Sequence, residues 1–139
     1  MKVSTVRTQF VEYIPSTRDE GVLYVSTKFR TAVHNCACGC GNKVVTPIDP
    51  ARWHLSWDGI DATLSPSVGN WEFPCRSHYL IQRGDVRWST QWTDKQIKAG
   101  AQRDREARID QLAAPGPFKR TTFVARLFAH LRRVHRRMQ

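Results

Sequence analysis

The sequence has few cysteines, no long apolar run, and almost no acid toward its C-terminal end. Four cysteines in 139 residues are too few for a disulfide-dense scaffold. Three of them crowd into Cys36–Cys40, where bridges would close no useful loop. No stretch approaches the roughly 18 apolar residues that a bilayer-spanning helix needs. Met1 to Pro15 is polar throughout and lacks the apolar centre of a signal peptide, so a cytoplasmic location is expected. Neither an internal repeat nor a low-complexity segment is present. Hydrophobic residues at 40% and charged residues at 24% match ordinary globular usage and exclude wholesale disorder. The length suits one compact domain with an appendage.

Charge is spread unevenly. Residues 1–92 hold ten Lys/Arg against eight Asp/Glu, whereas residues 93–139 hold twelve against four. The last third therefore carries most of the net +10, and an anionic partner would act there.

The chain reads as a run of short strands followed by helices. Val6–Ile14, Val22–Val25, Thr31–His34 and Val44–Thr46 are β-branched or aromatic-rich and bounded by turn residues. Trp53–Trp57 alternates at period two, Asp58-Gly59 marks a tight hairpin, and Ala62–Ser65 is its partner strand. Pro66–Asn70 reads as a loop. Tyr79–Ile81 and Val86–Trp88 flank a second hairpin turn at Arg83-Gly84-Asp85. All five tryptophans fall between residues 53 and 92 and are expected mainly in packing roles. The expectation is a mainly β, mostly antiparallel domain over residues 1–92.

After Trp92 the texture changes. Thr93 to Gln96 fits a capping box, and residues 93–113 form a helix with a thin apolar stripe of Ile97, Ala101, Ile109 and Leu112. Residues 114–117, Ala-Pro-Gly-Pro, act as a linker. Residues 118–139 read as a basic amphipathic helix. Phe123, Val124, Leu127, Phe128, Leu131, Val134 and Met138 share one arc; Arg126, Arg132, Arg133, Arg136 and Arg137 lie opposite. That helix packs on the domain, lies on an anionic membrane surface, or binds an acidic protein or nucleic acid.

The strongest chemical signal has two halves. The first is His34-Asn-Cys36-Ala-Cys38-Gly-Cys40-Gly41, the second Phe73-Pro-Cys75-Arg-Ser-His78-Tyr79. Each reads as the tip of a hairpin. Two facing tips supply four thiolate or imidazole ligands to one ion, the set that tetrahedral zinc takes. Cys75 and His78, at C-x-x-H spacing, are expected with Cys36 and Cys38, and Cys40 is the substitute ligand. His34 is expected to pack or hydrogen-bond instead.

A C-x-C and C-x-x-H pair on two hairpin tips resembles the Rieske cluster-binding fold. Cys38 stands where the first Rieske histidine would be, which favours zinc over a [2Fe–2S] centre. The core from His34 to Pro47, continued by Leu64–Trp71 and Phe73–Tyr79, more closely resembles a small bacterial family of unknown function. That resemblance covers roughly residues 22–112. It implies a role near a bacterial ubiquitin-like conjugation system, in which protein partners are expected.

No carboxylate pair suited to acid/base work stands out, and a four-ligand metal site is closed. The sequence therefore reads as a zinc-stabilised recognition or adaptor module, small, β-rich and Rieske-like or zinc-ribbon-like, with C-terminal helices. Electron transfer through [2Fe–2S], nucleic-acid binding and catalysis through a free Cys40 thiolate are the lesser readings.

Overall fold

The computed structural model describes residues 1–114. The basic helix expected over residues 118–139, with Arg126, Arg132, Arg133, Arg136 and Arg137, lies outside the described residues. So do most of the 114–117 linker and the membrane or nucleic-acid contact assigned to that helix. Met1–Arg108 is one compact unit.

Among the described residues, eight strands and one helix follow in chain order: β1 (Arg7–Phe10), β2 (Val22–Ser26), β3 (Thr31–Asn35), β4 (Lys43–Pro47), β5 (His54–Trp57), β6 (Ala62–Gly69), β7 (His78–Gln82), β8 (Asp85–Trp88) and α1 (Asp94–Ala113). The strands form two four-stranded sheets, ordered β1-β2-β3-β4 and β5-β6-β7-β8. The protein is mainly β. Pairing is antiparallel except between β1 and β2, which run parallel. The long connection from Phe10 to Val22 is what allows β1 to re-enter beside β2 in the same direction.

The segment before β1 links the sheets. Val6 N–H donates to the Gly84 carbonyl at 2.7 Å, and Val86 N–H donates to the Ser4 carbonyl at 2.8 Å. Between the sheets lies a core of Leu23, Val25, Leu64, Val68, Tyr79 and Ile81, all buried. Full burial of one such aliphatic side chain contributes about 1.5–3 kcal/mol. No tryptophan belongs to that buried core; Trp57 and Trp88 are exposed and Trp53, Trp71 and Trp92 half-buried. Trp57, Trp71, Trp88 and Trp92 pack against other aromatic rings outside that core.

One feature differs from the sequence reading and bears on the site. The expected loop Pro66–Asn70 is mostly strand, because β6 continues to Gly69. It does so across an irregularity: Leu64 pairs with Ile81, but Val68 pairs with Tyr79, so the register shifts between them. A bulge of this kind re-aims the side chains inside it, and Ser67 lies there. α1 is continuous through Gly100. A Cβ on Gly100 would stand 3.0 Å from the Trp92 ring, so the missing side chain lets the helix approach that indole closely. The capping box forms as the sequence suggests: Gln96 N–H donates to Thr93 Oγ1 at 3.3 Å, and Thr93 N–H to Gln96 Oε1 at 2.9 Å. Among the described residues, no helix is long and apolar enough to cross a membrane.

Candidate active site and metal centre

The turn between β3 and β4 carries three cysteines. Cys36 N–H donates to the Asn42 carbonyl at 2.8 Å, and Gly39 N–H to the Cys36 carbonyl at 2.9 Å, which folds the chain back on itself. Gly39 (φ 81°) and Gly41 (φ 75°) take left-handed conformations that a Cβ would disfavour. The loop between β6 and β7 brings the fourth. It is closed by Asn70 N–H donating to the Ser77 carbonyl at 2.9 Å.

These two tips place Cys36, Cys38, Cys40 and Cys75 with all four sulfurs within 4.8 Å of one another. Individual Sγ–Sγ separations are 3.4 Å for Cys36–Cys38, 3.9 Å for Cys36–Cys75 and 3.8 Å for Cys40–Cys75. Zinc bonded to four thiolates at about 2.3 Å sets its sulfurs roughly 3.8 Å apart, so the donor set fits that ion. The four cysteines are close enough to hold a metal. The surroundings suit thiolates as well. Asn42 Nδ2 donates to Cys40 Sγ at 3.2 Å, Asn70 Nδ2 reaches Cys36 Sγ at 3.6 Å, and the Ser77 hydroxyl lies 3.0 Å from Cys36 Sγ. Hydrogen bonds to ligating sulfur orient it and spread its charge. Burial pushes the Cys36 thiol up, against the pull of Ser77. Burial also acts upward on Cys75, but hydrogen bonding with the Ser77 side chain and backbone outweighs it and brings that thiol down to about 7.

Cys36, Cys38 and Cys75 were expected in this set, and Cys40, the substitute, joins them. His78 does not. It is the first residue of β7, and both of its ring nitrogens are engaged elsewhere. Nδ1 lies 2.7 Å from the Thr90 carbonyl, and Nε2 lies 2.8 Å from Ser67 Oγ. A carbonyl only accepts, so Nδ1 carries the proton and donates it to Thr90. Nε2 is left with a lone pair and accepts the Ser67 hydroxyl. His34 also stays out of the sulfur cluster: its Nε2 meets the Tyr79 hydroxyl at 2.8 Å. Burial holds the His34 imidazole down at about 4, so it is neutral at pH 7.

Ser67 and His78 meet because β6 and β7 pair, with Gly69 opposite His78. A Cβ on Gly69 would lie 2.5 Å from the Trp71 ring, so the glycine makes room for that indole. The Trp71 ring centroid is 4.9 Å from the imidazole of His78, and that of Trp92 is 5.2 Å from it. The two indoles stack on each other at 5.5 Å. The histidine is thus buried against two stacked indoles while its Nε2 faces a serine.

Ser67 opens onto a cleft of about 730 Å³. Lys43 and Val45 of β4 line one part of it, Trp71 and Phe73 another, and Ile97 and Ala101 of α1 a third. Arg76 in the β6–β7 loop pairs with Asp94 at 2.7 Å, which ties that loop to the start of α1.

The sequence reading did not single out Ser67 and expected His78 as a metal ligand rather than as its partner. The signal was present but indirect: a serine eleven positions before a histidine becomes a contact only when the strand register is known.

A family model described as "Bacterial ubiquitination-like system serine protease (BubE)" matches residues 10–89, more than half of the chain. The matched region includes all four cysteines, Ser67 and His78. No curated protein and no solved structure matches.

Proposed function

The chain belongs to this BubE family of a bacterial ubiquitination-like system, and we propose that it is a serine peptidase whose nucleophile is Ser67 and whose general base is His78. The observation that carries the reading is the 2.8 Å contact between Ser67 Oγ and His78 Nε2, with Nδ1 anchored on the Thr90 carbonyl at 2.7 Å.

The chemistry follows from that arrangement. Ser67 Oγ adds to a peptide or isopeptide carbonyl while its proton passes to Nε2. The imidazolium then gives that proton to the departing amine, and an acyl ester forms on Ser67. Water, deprotonated by the same Nε2, cleaves the ester and returns the hydroxyl. Thr90 takes the orienting place that a carboxylate holds in a Ser-His-Asp triad. It fixes the tautomer but, being neutral, stabilises the imidazolium less. Trp71 and Trp92 keep bulk water from the ring.

Zinc on Cys36, Cys38, Cys40 and Cys75 would act structurally. Four protein ligands leave no open position for substrate, and the ion would clamp the β3–β4 turn to the β6–β7 loop. Within a ubiquitin-like modification system, the bond to be cut belongs to the modifier or to its conjugates. The recognition role read from the sequence becomes the docking of that protein partner rather than the whole function.

The test is hydrolysis of pooled fluorogenic peptides by purified, zinc-loaded protein beside Ser67→Ala. Loss of a nucleophile costs on the order of 10³-fold or more in turnover, with the circular dichroism spectrum unchanged. Equal turnover by Ser67→Ala would refute the assignment.

A further inference from the structure

We propose that the free edge of β4 is the docking strand for the substrate, which lies along it as an extended, unfolded segment paired through its main chain. This inference rests on the peptidase reading of Ser67 and says how the scissile bond reaches it.

Strand register decides which backbone groups are free. β4 is the last strand of its sheet and, among the described residues, pairs only with β3. Cys36 N–H donates to the Asn42 carbonyl, and Ile48 N–H donates to the Arg30 carbonyl at 2.8 Å. With β3 and β4 antiparallel and Val33 opposite Val45, these bonds fix the alternation. Val44 and Thr46 turn their backbone groups toward β3. Lys43 and Val45 turn theirs outward. The edge therefore presents two N–H and two C=O groups in strand geometry, and Pro47, which has no N–H, closes the row.

The same two residues line the cleft that Ser67 opens onto. A chain added to β4 would run past the Ser67 hydroxyl with its carbonyls in reach. Trp71, Trp92 and α1 residues from Ile97 to Ala107 line the same cleft. An edge strand pairs through its main chain only with extended backbone, which a folded domain does not offer there. The occupant is thus a tail or an unfolded loop of a protein substrate. Main-chain pairing would supply affinity, and the alternate side chains would supply selectivity: those turned toward Trp71 and Ile97 enter an apolar wall.

Val45→Pro tests this, because it deletes an outward N–H that the fold does not use. Two rates are compared in wild type and variant: labelling of Ser67 by a small alkyl fluorophosphonate, and turnover of the best octapeptide from a pooled library. Peptide turnover is expected to fall at least about tenfold more than labelling, mainly through KM. A second measurement needs no variant. N-methylation of the octapeptide at successive amides should abolish cleavage at every other position and spare those between. Equal loss of both rates, methylation without alternation, or a wild-type protein that is labelled yet cuts no octapeptide would overturn the edge proposal. Failure of wild-type Ser67 to label would instead overturn the peptidase reading beneath it.

Discussion

The Ser77 hydroxyl lies 3.0 Å from the sulfur of Cys36, and the residue after Ser77 is His78. The sulfur cluster and the Ser67–His78 pair therefore share a structural element. The same hydroxyl accepts from Asn70 Nδ2 at 2.9 Å. Asn70 follows Gly69, the strand partner of His78. One loop, Asn70 to Ser77, presents Cys75 to the metal side and His78 to the serine side.

Removing the Ser77 hydroxyl should be felt at the metal first. Hydrogen-bonding partners of metal ligands typically contribute 10- to 100-fold in affinity, so Ser77→Ala should weaken zinc binding by about tenfold. Competition with a chromophoric chelator measures it. Affinity equal to wild type would mean that the hydroxyl does not support Cys36.

Cys75→Ser removes the one sulfur that the β6–β7 loop contributes. Purified wild-type protein should be colourless and hold about one zinc ion per chain. The variant should lose the metal and, with it, cooperative folding, because metal binding and folding are coupled in small domains. Elemental analysis and circular dichroism report both. Retained zinc would exclude Cys75 from the ligand set, and a brown protein with visible absorption bands would identify an iron–sulfur centre instead.

Much of the scaffold is legible in the sequence, and the reasons are local. β2, β3, β4, β7 and β8 follow from β-branched runs bounded by turn residues, and the Thr93–Gln96 cap announces α1. Crowding of Cys36, Cys38 and Cys40 beside glycines announces a turn that gathers its thiols closely enough to hold a metal. What stays hidden depends on pairing. Pro66 looks like a strand breaker, yet β6 continues through an irregularity that carries Ser67 with it. C-x-x-H spacing suggests a ligand at His78, but a residue that starts a strand points where the sheet directs it. Here the sheet directs it to Ser67 and Thr90. The parallel pairing of β1 with β2 is likewise a tertiary outcome, with no periodicity to signal it.

Gly69→Ala should damage activity more than stability. The new methyl would stand 2.5 Å from the Trp71 ring, which must swing away from the imidazole. Turnover should fall by about tenfold through misplacement of His78, while the melting temperature shifts little because Trp71 is half-buried and outside the core. Unchanged turnover would show that the indole does not position the histidine.

Tyr79→Phe tests the buried network behind the site. The Tyr79 hydroxyl meets His34 Nε2 at 2.8 Å and lies 3.4 Å from Asn70 Nδ2. Its removal leaves the buried His34 Nε2 without a partner, while Asn70 Nδ2 keeps Ser77, at a cost of about 1–3 kcal/mol. Urea unfolding of the zinc-loaded protein should show that loss. A midpoint equal to wild type would mean that the hydroxyl contributes nothing net.

Covalent capture of the nucleophile tests the Ser67–His78 pair most directly. Zinc-loaded protein is treated with an alkyl fluorophosphonate, digested, and the adduct located by tandem mass spectrometry, in wild type and in His78→Gln. One adduct is expected, on Ser67, forming on the order of 100-fold more slowly in the folded variant, because Ser67 then lacks its general base. An adduct on another residue, or Ser67 labelled equally fast without His78, would contradict the pairing of nucleophile and base.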